Sequence, residues 1–75
     1  MITEQNSITL ARVRALTDSG MAQQIRQGAR LSLAEVANDV GVSVPTIWRW
    51  EHGHRRPTGE AALRYGEVLE QLVHR

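Results

Sequence analysis

The 75-residue sequence predicts an all-α fold, a small bundle of five helices. Apolar residues recur every three or four positions along most of the chain, and no stretch keeps the period of two that a half-buried strand shows. Helix-capping residues precede the apolar segments, and glycines follow several of them. Apolar and aromatic residues make up 41% of the chain, which contains no cysteine. We therefore expect one domain that is stabilised by helix packing alone.

The N-terminal part of the chain divides into a tail and an extra helix. Residues 1–6 are polar and are expected to form a flexible tail, and residues 7–75 are expected to form the single domain. Ser7 can cap a helix over residues 7–18. The apolar residues of this helix lie at helical spacing and are Leu10, Val13 and Leu16.

A second helix is predicted from about Gly20 to Ala29. Its apolar residues also lie three or four positions apart and are Met21, Ala22, Ile25 and Ala29. The Asp18-Ser19-Gly20 cluster separates it from the first helix and offers capping groups. A single long, bent helix from Ser7 to Ala29 is the alternative.

Two short helices joined by a tight turn follow. A capping box begins at Ser32, and Gly41 stands where a left-handed residue ends a helix. Ser43 caps the next helix, which has a proline in its first turn. Ala37 is small where the two helices would cross, so the spacing is that of a helix-turn-helix. One shared core is expected from Val36, Val40, Val42, Ile47 and Trp50.

The last helix is capped by Thr58 and carries more apolar residues than one small core needs. These residues are Ala62, Leu63, Tyr65, Gly66, Leu69, Leu72 and Val73. The excess either forms the face of a homodimer or packs against the extra helix of residues 7–18.

Over residues 21–70 the sequence resembles the phage repressor and Cro family, the Xre-like helix-turn-helix proteins. The matching string is LSLAEVANDVGVSVPTIWRWEHGHRRPTGEAALRYGEVL. Family positions are held by Ala37, Gly41, the Trp-Glu-x-Gly sequence that starts at Trp50, and Pro57. The resemblance implies a lambda-repressor-like fold with its family core over residues 19–73. It also implies a sequence-specific regulator of transcription that binds double-stranded DNA, most simply a repressor.

The second helix of the motif is expected to read bases in the major groove. A helical wheel places Ile47 and Trp50 on its buried side. The opposite side supplies the expected base contacts: Val44, Pro45, Trp48 and Arg49. The guanidinium of Arg49 matches the O6 and N7 atoms of guanine, and a solvated or phosphate-bound Arg49 is the alternative. The family often has polar residues where Val44 and Pro45 stand, so fewer hydrogen bonds to bases are expected.

Trp48 points away from the predicted core. It is expected to pack on sugars or a thymine methyl group, or to lie in a partner interface. The alternative is an exposed ring that neighbours such as His52 partly cover.

Positive charge is concentrated in residues 41–56, which carry three arginines and one acid, whereas the preceding forty residues are neutral. The expected phosphate contacts are Ser32, Ser43, Thr46, His52, His54, Arg55 and Arg56. Leu33 replaces a glutamine that commonly grips phosphate in the family. For Arg55 and Arg56, a solvated loop is the alternative. The resemblance also implies a buried ion pair between Arg26 and Glu51, and a solvated Glu51 is the alternative.

Other classes of function find little support in the sequence. No group of residues has the pattern of a nucleophile with its base, and the three histidines lack the ligand spacing of a metal site. We therefore expect no catalysis, cofactor, metal or small-molecule ligand. No apolar run approaches the ~20 residues of a membrane span, and a cytoplasmic location is expected. Besides DNA, the alternative partner is a protein, as for an antitoxin or a recombination accessory protein of the same fold.

Overall fold

The computed structural model describes residues 3–74 of the chain, and within them it contains five helices and no strand. These helices are α1 (Thr3–Asp18), α2 (Met21–Gly28), α3 (Leu33–Val40), α4 (Val44–Glu51) and α5 (Gly59–Val73). The all-α fold with five helices is therefore as the sequence predicts.

The start of α1 differs from the prediction. The helix begins at Thr3, four residues before the expected cap Ser7, which is an exposed residue inside the helix. Glu4 and Gln5 are strong helix formers, so the helix extends through a segment that polarity alone suggested to be a tail. Of the expected tail, the first two residues lie outside the described part of the chain.

The first two helices are separate, so the alternative of one long, bent helix is wrong. Gly20 adopts a left-handed conformation with φ of 82° between α1 and α2. The hydroxyl of Ser19 accepts a hydrogen bond from the backbone N–H of Met21 at 3.3 Å. The predicted break at the Asp18-Ser19-Gly20 cluster is therefore present.

The helix-turn-helix unit forms where the caps predict it. Ser32 and Glu35 make the full capping box at the start of α3, and Gly41 ends that helix with φ of 86°. A residue with a Cβ atom rarely adopts this conformation, which explains the glycine. The side chain of Ser43 accepts a hydrogen bond from the backbone N–H of Thr46 at the start of α4.

All five helices contribute to one core. Its buried residues are Val13, Ala22, Val36, Ala37, Val40, Ile47, Trp50, Tyr65 and Leu69. Val42, which was expected among them, is half-buried and packs against this core. The Tyr65 hydroxyl has no hydrogen-bond partner in the described part of the chain. Burial raises the pKa of this hydroxyl above its ordinary value, and the nearby Glu51 carboxylate adds to the shift.

Two long-range hydrogen bonds from arginines fix the connections on either side of α4. Arg64 of α5 donates from Nε to the carbonyl oxygen of Val40 at 2.7 Å, immediately before the turn of the motif. Arg14 of α1 donates from Nε to the carbonyl oxygen of Pro57 at 3.1 Å, just before α5. The segment that contains α4 is therefore tied to both long helices.

Close packing of α1 on α5 depends on Gly66. A Cβ atom at this position would lie 2.8 Å from a methyl group of Val13 and 2.9 Å from the methyl group of Thr9. Both neighbours are short, β-branched side chains with little freedom to move away. The extra N-terminal helix thus covers part of the apolar excess on α5.

Gly66→Ala should lower the free energy of unfolding by about 1–3 kcal/mol, because the added methyl group overpacks the contact between α1 and α5. The matched control is Gly28→Ala in α2, where a Cβ atom would meet nothing within 4 Å. There the higher helix propensity of alanine should raise stability by up to about 1 kcal/mol. Urea denaturation measures both values, and a stabilising Gly66→Ala would contradict the close approach of the two helices.

Candidate nucleic-acid interface

The outward side of α4 is an exposed surface made of the four residues that the sequence predicts as base contacts. Val44, Pro45, Trp48 and Arg49 are all exposed, and Ile47 and Trp50 are buried on the opposite side. We call these four residues the reading face. Val44 and Trp48 are each 40% exposed and lie one helical turn apart.

Two histidines pack against Trp48. The ring of His52 stacks on the indole with centroids 4.1 Å apart and planes 20° from parallel, and the ring of His54 is tilted at 5.2 Å. Nδ1 of His52 also lies 2.9 Å from the carbonyl oxygen of Trp48. The expected phosphate contacts His52 and His54 therefore hold Trp48 in place. The indole remains 40% exposed, and the two imidazole rings cover part of its surface.

An arginine-lined cleft lies beside the reading face. It has a volume of about 140 Å³ and is lined by Thr46, Arg49, Trp50, Arg55, Arg56 and Thr58. The lining contains no carboxylate. None of the three arginines forms a salt bridge with any residue among 3–74. Three arginines that line one opening favour an anion such as phosphate.

Arg26 and Glu51 form a bidentate ion pair that joins α2 to the end of α4. Nε of Arg26 donates to Oε2 of Glu51 at 2.6 Å, and Nη2 donates to Oε1 at 3.0 Å. The side chains are 11% and 1% exposed, respectively. The hydrogen bonds to Glu51 raise the pKa of Arg26, although burial acts in the opposite direction. Nη1 of Arg26 also donates to the carbonyl oxygen of Leu31 at 2.9 Å.

This pairing changes the electrostatics of the cleft. By sequence, Glu51 is the one acid among residues 41–56 and partly offsets their arginines. In the structure its carboxylate is buried and bound to Arg26, so it does not neutralise the exposed cleft. The surface around α4 is consequently more positive than the local sequence indicates.

The starts of the two short helices differ as candidate phosphate sites. At α3, the carboxylate of Glu35 accepts a hydrogen bond from the backbone N–H of Ser32 at 2.8 Å, so negative charge already occupies this helix end. The first turn of α4 carries no acid. There Ser43 and Thr46 are hydrogen-bonded to each other through their hydroxyl groups at 2.8 Å. The positive end of the α4 dipole is therefore open to an anion.

A family model for the helix-turn-helix domain matches residues 21–73. The chain belongs to the helix-turn-helix domain family. No curated protein and no solved structure matches the chain. The matched region contains α2 to α5, and α1 lies outside it. Within residues 3–74, no helix combines the length and the hydrophobicity needed to cross a membrane.

Two residues that position the motif were not predicted. Arg14 and Arg64 bind backbone carbonyl groups that are 43 and 24 residues away in sequence. In this helix-turn-helix domain they restrain the connections before and after α4. Sequence offered no signal for them, because a backbone carbonyl is available at every position.

Arg26→Met should lower the free energy of unfolding by about 3–5 kcal/mol, because it leaves the buried Glu51 carboxylate without its partner. For a chain of this size, that loss lowers the melting temperature by at least about 10 °C. The control is Arg12→Met, which removes an exposed, 3.8 Å salt bridge to Glu70 and should change little. The double variant Arg26→Met, Glu51→Leu should recover most of the loss, and an unchanged melting temperature for Arg26→Met would contradict a structural role of the pair.

Proposed function

We propose that this protein is a sequence-specific regulator of transcription that binds double-stranded DNA, of the phage repressor or Cro type. It reads the major groove with the outward side of α4 and represses by occupying an operator. The observation that carries the proposal is the exposed reading face next to an arginine-lined cleft without a carboxylate. The family match supports DNA as the partner.

The dimensions of α4 suit this role. With its side chains an α-helix is about 10–12 Å in diameter, and the major groove is about 12 Å wide and accepts one such helix. The guanidinium of Arg49 projects from the outward side, where it can donate two hydrogen bonds to a guanine edge. At the start of α4 the backbone N–H of Val44 can bind a phosphate, because Pro45 has no N–H and those of Thr46 and Ile47 donate to Ser43.

The cleft is the proposed phosphate clamp. Arg55 and Arg56 belong to the connection between α4 and α5, which runs beside the reading face. A phosphate bound in the cleft would reduce the electrostatic repulsion between the three arginines. His52 and His54 take part through Trp48, because their rings pack against its indole. At the start of α3, Glu35 already binds the Ser32 N–H, so the proposal relies on α4 rather than on Ser32 for anchoring.

The main test is binding to duplexes selected from a random library, measured by fluorescence anisotropy over a salt series. We expect a slope of about three to six released ions per bound domain. Arg55→Ala should weaken all sequences equally and lower the slope by about one ion, whereas Arg49→Ala should reduce discrimination between sequences by about 1–3 kcal/mol. Arg30→Ala, which removes an exposed arginine between α2 and α3 and outside the cleft, is the control that keeps both properties. A salt-independent affinity would contradict the proposal.

A homodimer is the second element of the proposed function. α1 covers part of the excess of apolar side chains on α5, but Val73 remains 55% exposed. It borders a groove of about 620 Å³ whose apolar floor includes Val13, Leu16, Ile25 and Leu69. Two copies joined there by a two-fold axis would present two reading faces to a palindromic operator, about 34 Å apart.

Sedimentation at micromolar concentration should give twice the 8.4 kDa mass of the chain. Val73→Asp should shift the protein towards the monomer, because it places a charge in the apolar contact. Val44→Asp is the matched control, since this exposed valine lies on the reading face, and it should leave the dimer intact. A strict monomer would contradict the dimer and favour an asymmetric DNA site, or a protein partner of the kind that an antitoxin or a recombination accessory protein binds.

A further inference from the structure

The reading face has few groups for hydrogen bonds to bases. Of the polar side chains at the start of α4, the hydroxyls of Ser43 and Thr46 bind each other. Nδ1 of His52 lies at the carbonyl oxygen of Trp48. The single acid of α4 is Glu51, which is buried against Arg26. No asparagine or glutamine lies in α4 to read adenine.

Apolar atoms dominate this surface instead. Val44 and Trp48 are each 40% exposed on adjacent turns, and Pro45 is exposed beside them. The indole of Trp48 is held by its stack on His52 and by the tilted ring of His54. The indole is therefore already ordered before DNA binds, which lowers the entropy cost of its contact with a base. An isolated exposed apolar residue needs no explanation, but here three are contiguous and one is a held tryptophan.

The major groove offers one apolar group that suits such a surface. Thymine carries a methyl group at C5, and valine and aromatic side chains contact it favourably. A methyl group on C5 of cytosine occupies the same edge of the groove. The shared chemistry is a pyrimidine with a C5-methyl group.

We infer that α4 recognises C5-methylated pyrimidines through Val44 and Trp48, with thymine as the ligand in unmodified DNA and 5-methylcytosine as an equivalent. The inference rests on the proposed function and adds the class of base that is read. Arg49 stands at the edge of the apolar surface and can bind a neighbouring guanine or a phosphate without changing this readout. Burying one methyl group corresponds to about a fourfold gain in affinity.

The test removes the C5-methyl group and leaves the rest of the base unchanged. Duplexes selected by the protein from a random library are resynthesised with deoxyuridine at one thymidine at a time, and affinity is measured by anisotropy at fixed salt. We expect a loss of about fourfold at one or two positions of each half-site and no change at the others. Cytosine at those positions should bind more weakly than 5-methylcytosine, a comparison that separates the two sources of the methyl group.

Variants assign the effect to the two side chains. Val44→Ala and Trp48→Ala should each reduce the thymine-to-uracil ratio towards one, while circular dichroism shows that both remain folded. Ile8→Ala, which is equally apolar and exposed but lies on α1, should keep the ratio of the wild-type protein.

The outcomes separate the inference from the proposed function. Specific binding in which every uracil substitution stays within twofold of thymine overturns the recognition of C5-methyl groups and leaves the proposed function intact. Failure to enrich any sequence, with only weak binding of all duplexes, overturns both. A methyl effect that survives in Val44→Ala and Trp48→Ala also overturns the inference, because other residues then read the methyl group.

Discussion

The paired hydrogen bonds between Arg26 and Glu51 are the interaction on which the presentation of α4 depends. They join the side of α2 to the last residue of α4, and the same guanidinium binds the carbonyl oxygen of Leu31 before α3. One largely buried side chain thus connects α2, the end of α4 and the connection before α3. A buried ion pair adds little net stability, but its geometry restricts how the helices can be oriented. Arg64 at the carbonyl oxygen of Val40 restrains the turn that precedes α4.

This pair also determines the electrostatic character of the surface. By taking up the Glu51 carboxylate, Arg26 leaves the arginine-lined cleft without an internal counter-ion. The reading face beside it is largely apolar, apart from Arg49. Positive charge and exposed apolar surface are thus divided between neighbouring regions. Such a division matches the general pattern in which phosphate contacts position a protein and base contacts specify the sequence.

Local features of the fold could be predicted from the sequence. The capping box at Ser32, the left-handed Gly41 and the cap at Ser43 depend on residues within a few positions of each other. The exposed side of α4 follows from the burial of Ile47 and Trp50. Contacts between distant segments could not be predicted in this way, as the hydrogen bond from Arg14 to Pro57 and the unpartnered Tyr65 hydroxyl illustrate. The early start of α1 was missed because polarity was interpreted as disorder.

The central claim is that α4 and the connection after it are the surface that meets DNA. Amide chemical-shift mapping by NMR, with a selected duplex added in steps, tests it most directly. We expect the largest changes to be confined to residues 43–56, with α1 and the second half of α5 nearly unaffected. Changes centred on the groove between α1 and α5, with residues 43–56 unperturbed, would contradict the claim and identify a different binding surface.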